Sequence, residues 1–513
     1  MSPEHEEWQR LDGRTVLVTP LVTAGVVAGA GLPALIGLLG DMPLRQALAW
    51  VLGGAALVIG AATGADYMRW RRTRYRIGPE RAELHTGLLL VKRRSLGRER
   101  IRSVDLTANP LLRVLGLVQV RIGTGEQTEG GESTLELDAV TRAEGERLRT
   151  QLLDRSVAGP PGTHREGVLA ALDPAWIRYA PVSFVAPLLG GAAAGGVMQV
   201  SEWFGAQGEV IEWVGDRFRD TTVVWIVVVL AAVALATGVV GALGLWIEMW
   251  WNYRLEREPG GTLRVRRGLF TARSMSIEER RLRGIELVEP LGVRLFGAAR
   301  VDAVATGLAK NGEDERADHK TLLPAVPAAL AGEVAAQVLR EETAPTAAAR
   351  LIAHPPAARG RRLRRALMIS LTPVAVLALL GVLLTPVLLT PVLLYIAAVC
   401  AAATVPVAVL LALDAYRSLG HGLSGAYLVT RSGTVRRTTV ALQRTGVIGW
   451  TVRQSVFQRR SGLLTLIATT AAGAGAYGVY DAAEGEGLVF AAEAVPGVLE
   501  PFLESVGRPP GER

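Results

Sequence analysis

Pro110-Leu111-Leu112-Arg113-Val114-Leu115-Gly116 is an apolar turn that carries one arginine and closes on a glycine. It returns as Pro290-Leu291-Gly292-Val293-Arg294-Leu295-Phe296-Gly297 and, more faintly, as Gln458-Arg459-Arg460-Ser461-Gly462. A second glycine stands 29 residues earlier each time, in Gly87-Leu88-Leu89, Gly268-Leu269-Phe270 and Gly433-Thr434-Val435. The arginine lies three before the closing glycine, and an aliphatic residue (Ile101, Leu282, Val447) lies fifteen before it. Upstream of each copy comes an acid with aromatics: Asp66-Tyr67, Glu248 with Trp250, Asp414 with Tyr416. Matches held in register at fixed spacing are the mark of one structural unit used repeatedly.

Each copy follows apolar sequence. Runs free of Lys, Arg, Asp and Glu span 26 residues after Arg14, 20 after Arg45, 23 after Arg178, 27 after Asp220 and 48 after Arg365. About 20 apolar residues in a helix cross a hydrocarbon core of about 30 Å. The longest run holds two crossings, with turns at Thr385-Pro386 and Thr390-Pro391. With 50% hydrophobic and 20% charged residues and a mean hydropathy of +0.28, the chain is too apolar for an ordinary soluble or disordered protein. Six spans are expected, as three hairpins at 15–66, 177–248 (with an outer loop, 202–220) and 366–413. The polar domains fall at 67–155, 249–342 and 414–506. An N-terminal segment (1–14), linkers (156–176 and the basic 343–365) and a tail (507–513) complete the chain.

Arg69–Arg76 after the second span and Arg359–Arg365 before the fifth are strongly basic, whereas the outer loop carries 2 − 5 = −3. Basic flanks stay cytoplasmic. Both termini and the three polar domains are therefore expected on the inner side of a plasma membrane. Within the outer loop Val210, Ile211, Val214 and Phe218 fit either a short interfacial helix or a capped loop.

Inside the copies, Leu255, Leu263 and Val265 alternate with charges, as do Leu117–Ile122, which is the period of half-buried strands. Leu88–Val91 reads as the return strand of a hairpin turned at Gly87. Helical periodicity closes each copy near Thr141–Leu153, Ala325–Leu339 and Ala491–Leu503. Antiparallel strands followed by one helix imply a small sandwich or barrel capped by that helix, an α+β fold.

These motifs resemble the bacterial pleckstrin-homology-like membrane proteins of the YdbS/YdbT type, over nearly the whole chain. The resemblance implies a PH-like fold for each cytoplasmic domain and supplies no catalytic residues. Copy three departs from the pattern, with Gly446 for the arginine, Ser455-Val456-Phe457 for the Pro-Leu pair, and Gly/Ala-rich strands at Ala471–Gly478.

Basicity marks the start of each domain: 12 − 3 = +9 from Arg69 to Arg102, 9 − 4 = +5 from Tyr253 to Arg283, and 8 − 0 = +8 from Arg417 to Arg460. A basic side chain beside an anionic leaflet gains about 1 kcal/mol. The candidate lipid- or partner-binding surface is Arg71, Arg72, Arg74, Lys92, Arg93, Arg94, Arg98, Arg264, Arg266, Arg267, Arg436 and Arg437. The same charges also serve topology alone. Arg113, Arg294 and Arg459 read either as ligand contacts or as braces bonded to turn carbonyls. The glycines 87, 116, 268, 297, 433 and 462 read as turns of positive φ or as places of close backbone approach.

Cys400 is the one cysteine, and the histidines are scattered without ligand spacing, so no cofactor or metal site is expected. No phosphate loop, zinc-protease or serine-hydrolase signature occurs, and the spans lack ionisable groups of the kind that drive pumps. Split basic patches with few interleaved aromatics argue against nucleic acid. The acidic stretches Glu126–Asp138 and Gly312–Glu315 read as solvated loops. Small-residue pairs at Gly25/Gly29, Gly60/Gly64 and Gly191/Gly195 permit close helix packing. The expectation is a non-enzymatic membrane scaffold that meets inner-leaflet lipids, protein partners or copies of itself. The alternatives are an anionic-lipid sensor or a lipid or solute transporter.

Overall fold

The computed structural model describes residues 8–40, 42–87, 91–101, 103–123, 134–153, 167–182, 185–219, 221–306, 320–388 and 391–499. Several expectations lie outside these residues: the strand start at 88–90, the loops with Glu126, Glu129, Glu132 and Gly312–Glu315, most of the 156–176 linker, and the tail. The chain forms two compact units that divide between Arg281 and Leu282.

Among the described residues five helices are long and apolar enough to cross a membrane: Gly13–Leu39, Leu44–Arg72, Val224–Trp250, Pro356–Leu384 and Val392–Arg417. This corrects the expectation of six. The third expected span is the helix Val185–Trp203, in which eight of 19 residues are Gly or Ala and the last turn carries Glu202. The charge-free run there begins in a short 3-10 turn, Pro174–Tyr179, so much of its upstream end is not helical. A count of missing charges measured length but not hydropathy. Within residues 202–220 the helical alternative holds, over Gln207–Arg217, with Glu209 in its first turn and Arg217 in its last, as the helix dipole favours.

Val185–Trp203 packs on Val223–Trp250 through small residues. A Cβ on Gly190 would stand 2.0 Å from the Ala234 carbonyl oxygen, and one on Gly238 would stand 1.9 Å from that of Ala186. Gly191 and Gly195, the expected face, meet nothing within 4 Å, and the same holds for Gly25, Gly29, Gly60 and Gly64. Backbone cannot yield as a side chain does, so Gly190→Ala is expected to cost about 1–3 kcal/mol, the usual penalty of overpacking. Gly191→Ala should be neutral in the same denaturant titration of the purified protein.

In unit 1, β1 (Gln9–Arg10), β2 (Arg74–Ile77), β3 (Arg81–Thr86) and β4 (Lys92–Gly97) form one antiparallel sheet in that order. A second sheet has seven strands, in the order β7-β6-β5-β11-β10-β9-β8. These are β5 (Ser103–Ala108), β6 (Leu117–Gly123), β7 (Thr134–Thr141), β8 (Gly167–Ala171), β9 (Arg254–Glu258), β10 (Thr262–Arg267) and β11 (Ala272–Glu278). Unit 2 repeats the plan. β12 (Leu282–Pro290), β13 (Ala298–Ala305), β14 (Thr321–Pro327), β15 (Gly420–Ser424), β16 (Tyr427–Ser432) and β17 (Arg436–Gln443) form a sheet ordered β14-β13-β12-β17-β16-β15. β18 (Val447–Arg453), β19 (Leu463–Thr470) and β20 (Ala476–Ala483) form a three-stranded sheet.

Each long sheet joins two copies of the repeat. The rear three strands of copy one continue into the front strands of copy two, and the rear of copy two continues into the front of copy three. The register is the same in both seams: Ala108 faces Ala272 and Glu289 faces Arg437. Each pair sets the residue eight before a closing glycine against the residue four after the next opening glycine.

The expected alternation holds along β9 and broadly along β6 but not along β10, where Arg264 and Arg267 are buried as well as Leu263 and Val265. Tyr75 and Leu84 from the first sheet, Val104, Val120 and Leu135 from the second, and Leu148 and Leu152 of the helix Arg142–Leu153 share one buried core. In unit 2, Leu428, Val440, Leu466, Val479 and Phe490 do the same. A helix follows β14 at Ala328–Leu339. After β20 the helix is Glu484–Ala494, not the expected Ala491–Leu503. Glu484 and Glu486 suit its N-terminus, and Pro496 with Gly497 at φ +84° ends it.

Candidate functional site

The repeat signals converge on one junction in each unit. Gly268 has φ +111°, and a Cβ there would lie 1.9 Å from the Thr271 carbonyl oxygen; Gly433 has φ +100° and meets that of Arg436 at 2.1 Å. Only glycine makes these hairpin turns. The span-end acid then binds the turn. Glu248 accepts from the backbone N–H of Phe270 at 2.8 Å and of Thr271 at 3.0 Å. Arg113, from the preceding copy, donates to the Leu269 carbonyl. In unit 2, Asp414 accepts from Thr434 Oγ1 and Arg294 Nη2, both at 2.8 Å. Acid, glycine and arginine, far apart in sequence, thus lock a span to a hairpin and to the copy before it. Gly87, Gly116, Gly297 and Gly462 also have positive φ, at 144°, 72°, 66° and 61°. Arg459 is exposed, and its side chain has no partner among the described residues.

Beside the first junction lies a cleft of about 240 Å³, lined by Arg113, Arg142, Arg264, Arg266, Arg267 and Arg273 against Glu146, a balance of 6 − 1 = +5. Arg264 is 3% exposed. It bonds Glu258 at 3.0 Å, Glu146 at 2.5 Å and Ser274 at 2.9 Å. Arg149 completes a tetrad, meeting Glu258 at 2.7 Å and Glu146 at 3.1 Å. Burial alone would raise both carboxyls, but Arg264 and Arg149 outweigh it and hold Glu146 and Glu258 below the usual carboxylate range. Arg267 is also buried, its guanidinium 4.5 Å from the ring centre of Trp250 at the end of the span. Arg142 and Arg273 are exposed, and Arg266 is only loosely held, 3.6 Å from Glu256.

Unit 2 holds a larger cavity of about 840 Å³ where the third hairpin meets β18–β20. Arg361, Arg362 and Arg365 of the helix Pro356–Leu388 and Arg453 of β18 supply its basic side; Ile369, Ala408 and Leu411 supply its apolar side. Asp481, 2% exposed and at φ +59°, bonds Arg361, Arg362 (3.2 Å) and Gln458 (3.0 Å). The balance is 4 − 1 = +3. No carboxylate stands against Arg365 or Arg453 among the described residues. A basic rim over an apolar wall suits an amphiphile with an anionic head.

The expected surface residues scatter. Arg71, Arg72 and Arg74 sit at the end of the helix Leu44–Arg72 and the start of β2, on the outside. Lys92 and Arg93 are exposed on the edge strand β4 and Arg94 is half-buried there. Arg98 bonds the Gln151 carbonyl. Arg437 forms a bidentate pair with Glu289 (2.8 and 2.5 Å) across the seam, and Arg436 stands 3.6 Å from Glu286. Arg264 and Arg267 leave the surface altogether, because they lie on β10, which is paired on both sides, by β9 and β11, inside the seven-stranded sheet. The histidines are not all scattered: His354 Nε2 and His421 Nδ1 lie 3.0 Å apart in unit 2. Sixty-seven residues separate them in sequence, so no local spacing could reveal the pair.

A family model described as bacterial PH domain matches the chain three times, at residues 30–156, 209–342 and 370–493. The UPF0699 transmembrane protein YdbT of Bacillus subtilis (strain 168) is 23% identical over 282 residues, 51% of this chain and 56% of that protein. The chain thus spans little more than half the length of that relative. No solved structure matches it.

Proposed function

This chain belongs to the bacterial PH domain family, and from that premise we propose that it is a non-enzymatic membrane scaffold whose PH-like domains, each closed by its last helix, hold anionic phospholipid. The basic stretches Arg69–Arg76 and Arg359–Arg365 favour the cytoplasmic side for the domains and both termini, a topology that requires the glycine-rich helix Val185–Trp203, packed on Val223–Trp250, to traverse the bilayer with it despite its lower hydropathy. The observation that carries the reading is the unit 2 cavity. Three of its arginines lie on the helix Pro356–Leu388 at the start of the third hairpin and the fourth on β18, and its apolar wall continues along the helices of that hairpin. A phosphate meets Arg365 and Arg453 while acyl chains lie along Ile369 and Leu411. The cleft beside Arg266 offers a smaller anionic site in unit 1.

Lipids retained by the full-length protein in mild detergent test this. At least fivefold enrichment of phosphatidylglycerol over phosphatidylethanolamine is expected, persisting at moderate salt, where loose adhesion is screened. Arg365→Gln with Arg453→Gln should remove more than half of that enrichment. Equal enrichment in the variant, or none in the wild type, rejects the site.

A further inference from the structure

Both seams within this chain obey one rule. A rear strand pairs antiparallel with the third front strand of the next copy, β5 with β11 and β12 with β17, in the same register. The earlier copy's arginine, Arg113 or Arg294, then binds the later copy's hairpin or span-end acid. Applied to the whole chain, the rule leaves two half-seams. β4, the counterpart of β11 and β17, ends its sheet, and β18, the counterpart of β5 and β12, ends another; no described strand pairs with either edge. Arg459, the third arginine, is exposed and has no side-chain partner among the described residues, and Asp66, the third span-end acid, is half-buried and bonds Thr19 Oγ1. Val91 beside β4, and Ile448, Val452, Val456 and Phe457 on and beside β18, are exposed apolar side chains. Proteins normally cover or blunt such edges.

We infer that β18 of one molecule adds to β4 of a second copy, so that chains join head to tail through the seam that already joins copies within each chain. The shared register sets Gln454 against Val91, Val452 against Arg93 and Trp450 against Ser95. Arg459 reaches Asp66 of the other molecule. A second copy is the occupant because each chain carries both complementary halves, and because the two unmatched anchors have opposite charge. The contact is heterologous, so it builds rings or open chains rather than two-fold dimers. Lys92 and Arg453 also come opposite each other; both are exposed, and salt screens their repulsion.

Two differently tagged full-length copies, both Cys400→Ala, are co-expressed, one with Arg93→Cys and the other with Val452→Cys, and native membranes are oxidised. A disulfide-linked pair bearing both tags is expected, at least tenfold above the yield of Arg93→Cys with Ile448→Cys, which the register displaces. Arg459→Glu on the Val452→Cys copy should cut the yield at least fivefold. Asp66→Arg on the other copy should restore it. Lys92→Glu on the Arg93→Cys copy should raise it. Equal yields from matched and displaced pairs, or no linked species carrying both tags, overturn the inference. An Arg459→Glu loss without rescue by Asp66→Arg overturns the anchor pairing.

Discussion

Arg264→Met is expected to lower the stability of unit 1 by about 3 kcal/mol, the lower end of the cost of stripping one member from a buried ion cluster. The tetrad of Arg149, Arg264, Glu146 and Glu258 balances as 2 − 2 = 0. Glu146 and Arg149 come from the helix after β7, Glu258 and Arg264 from the front strands of the next copy, so the cluster clamps the first seam. Without Arg264, two carboxylates compete for Arg149 and the net charge of a largely buried site becomes −1. Burial then dominates, and their pKa values rise. Arg149 keeps contacts of 2.7 and 3.1 Å to both acids, which holds the loss to the lower end. Arg264→Met with Glu146→Gln restores neutrality and should recover at least 1 kcal/mol of the loss. Denaturant titration with limited proteolysis of unit 1 as readout supplies the numbers. A double variant as weak as the single one would show that the arginine acts through packing alone.

The sequence carried the repeat but not its connections. The 29-residue spacing, the arginines and the span-end acids are local patterns, and they find the strands, the hairpins and the family. That the arginine serves the next copy's turn is not local: Arg113 and Leu269 are 156 residues apart. Nor does any single strand announce a partner in another copy. Nothing in the sequence of β5 or β12 singles them out, and only their register against β11 and β17 reveals the seam. The basic candidates were chosen by proximity to spans, and Arg71 and Lys92 are indeed exposed. Proximity failed for Arg264, because a charged residue on a buried strand looks the same in sequence as one on an exposed strand. The cavity arginines Arg361, Arg362 and Arg365 were visible as topology signals, but Arg453 and Asp481, which complete their site, come from strands about ninety to 120 residues away. The third copy's final helix starts at Glu484 rather than Ala491, so that a Gly-rich stretch, Glu484–Gly487, is helical against its propensity, with Gly487 packed close under Leu464 and Ala482.

Acid should loosen unit 2 before most of its carboxylates titrate. His421 is 1% exposed, its ring edge-on to Phe490 at 4.6 Å. His354 Nδ1 lies 3.1 Å from the Asp481 carbonyl oxygen and must donate to it, so His354 Nε2 accepts from His421 Nδ1. The two tautomers are thereby fixed, and His421 Nε2 is left unprotonated and without a partner among the described residues. A proton arriving there would be a buried charge with no acceptor. Burial, and secondly the neighbouring His354, lower His421 from 6.5 to about 4, and burial lowers His354 in the same direction. The unfolded chain therefore binds the proton first. The stability due to His421 is fully present above pH 6.5 and falls away as the pH drops toward about 4, a loss of about 3 kcal/mol at 1.36 kcal/mol per unit. The pair ties the segment before the third hairpin to β15, since Ile352 bridges His421 and Tyr416 Oη donates to the His354 carbonyl at 2.9 Å. Loss of its stability should therefore show first as proteolysis near residue 352. His421→Asn keeps an N–H for His354 but cannot titrate. The difference in unfolding midpoint between wild type and variant should shrink steadily from pH 7 to 4.5. A pH-independent difference would mean that His421 binds its proton equally in the folded and unfolded chains, and that burial does not govern its pKa.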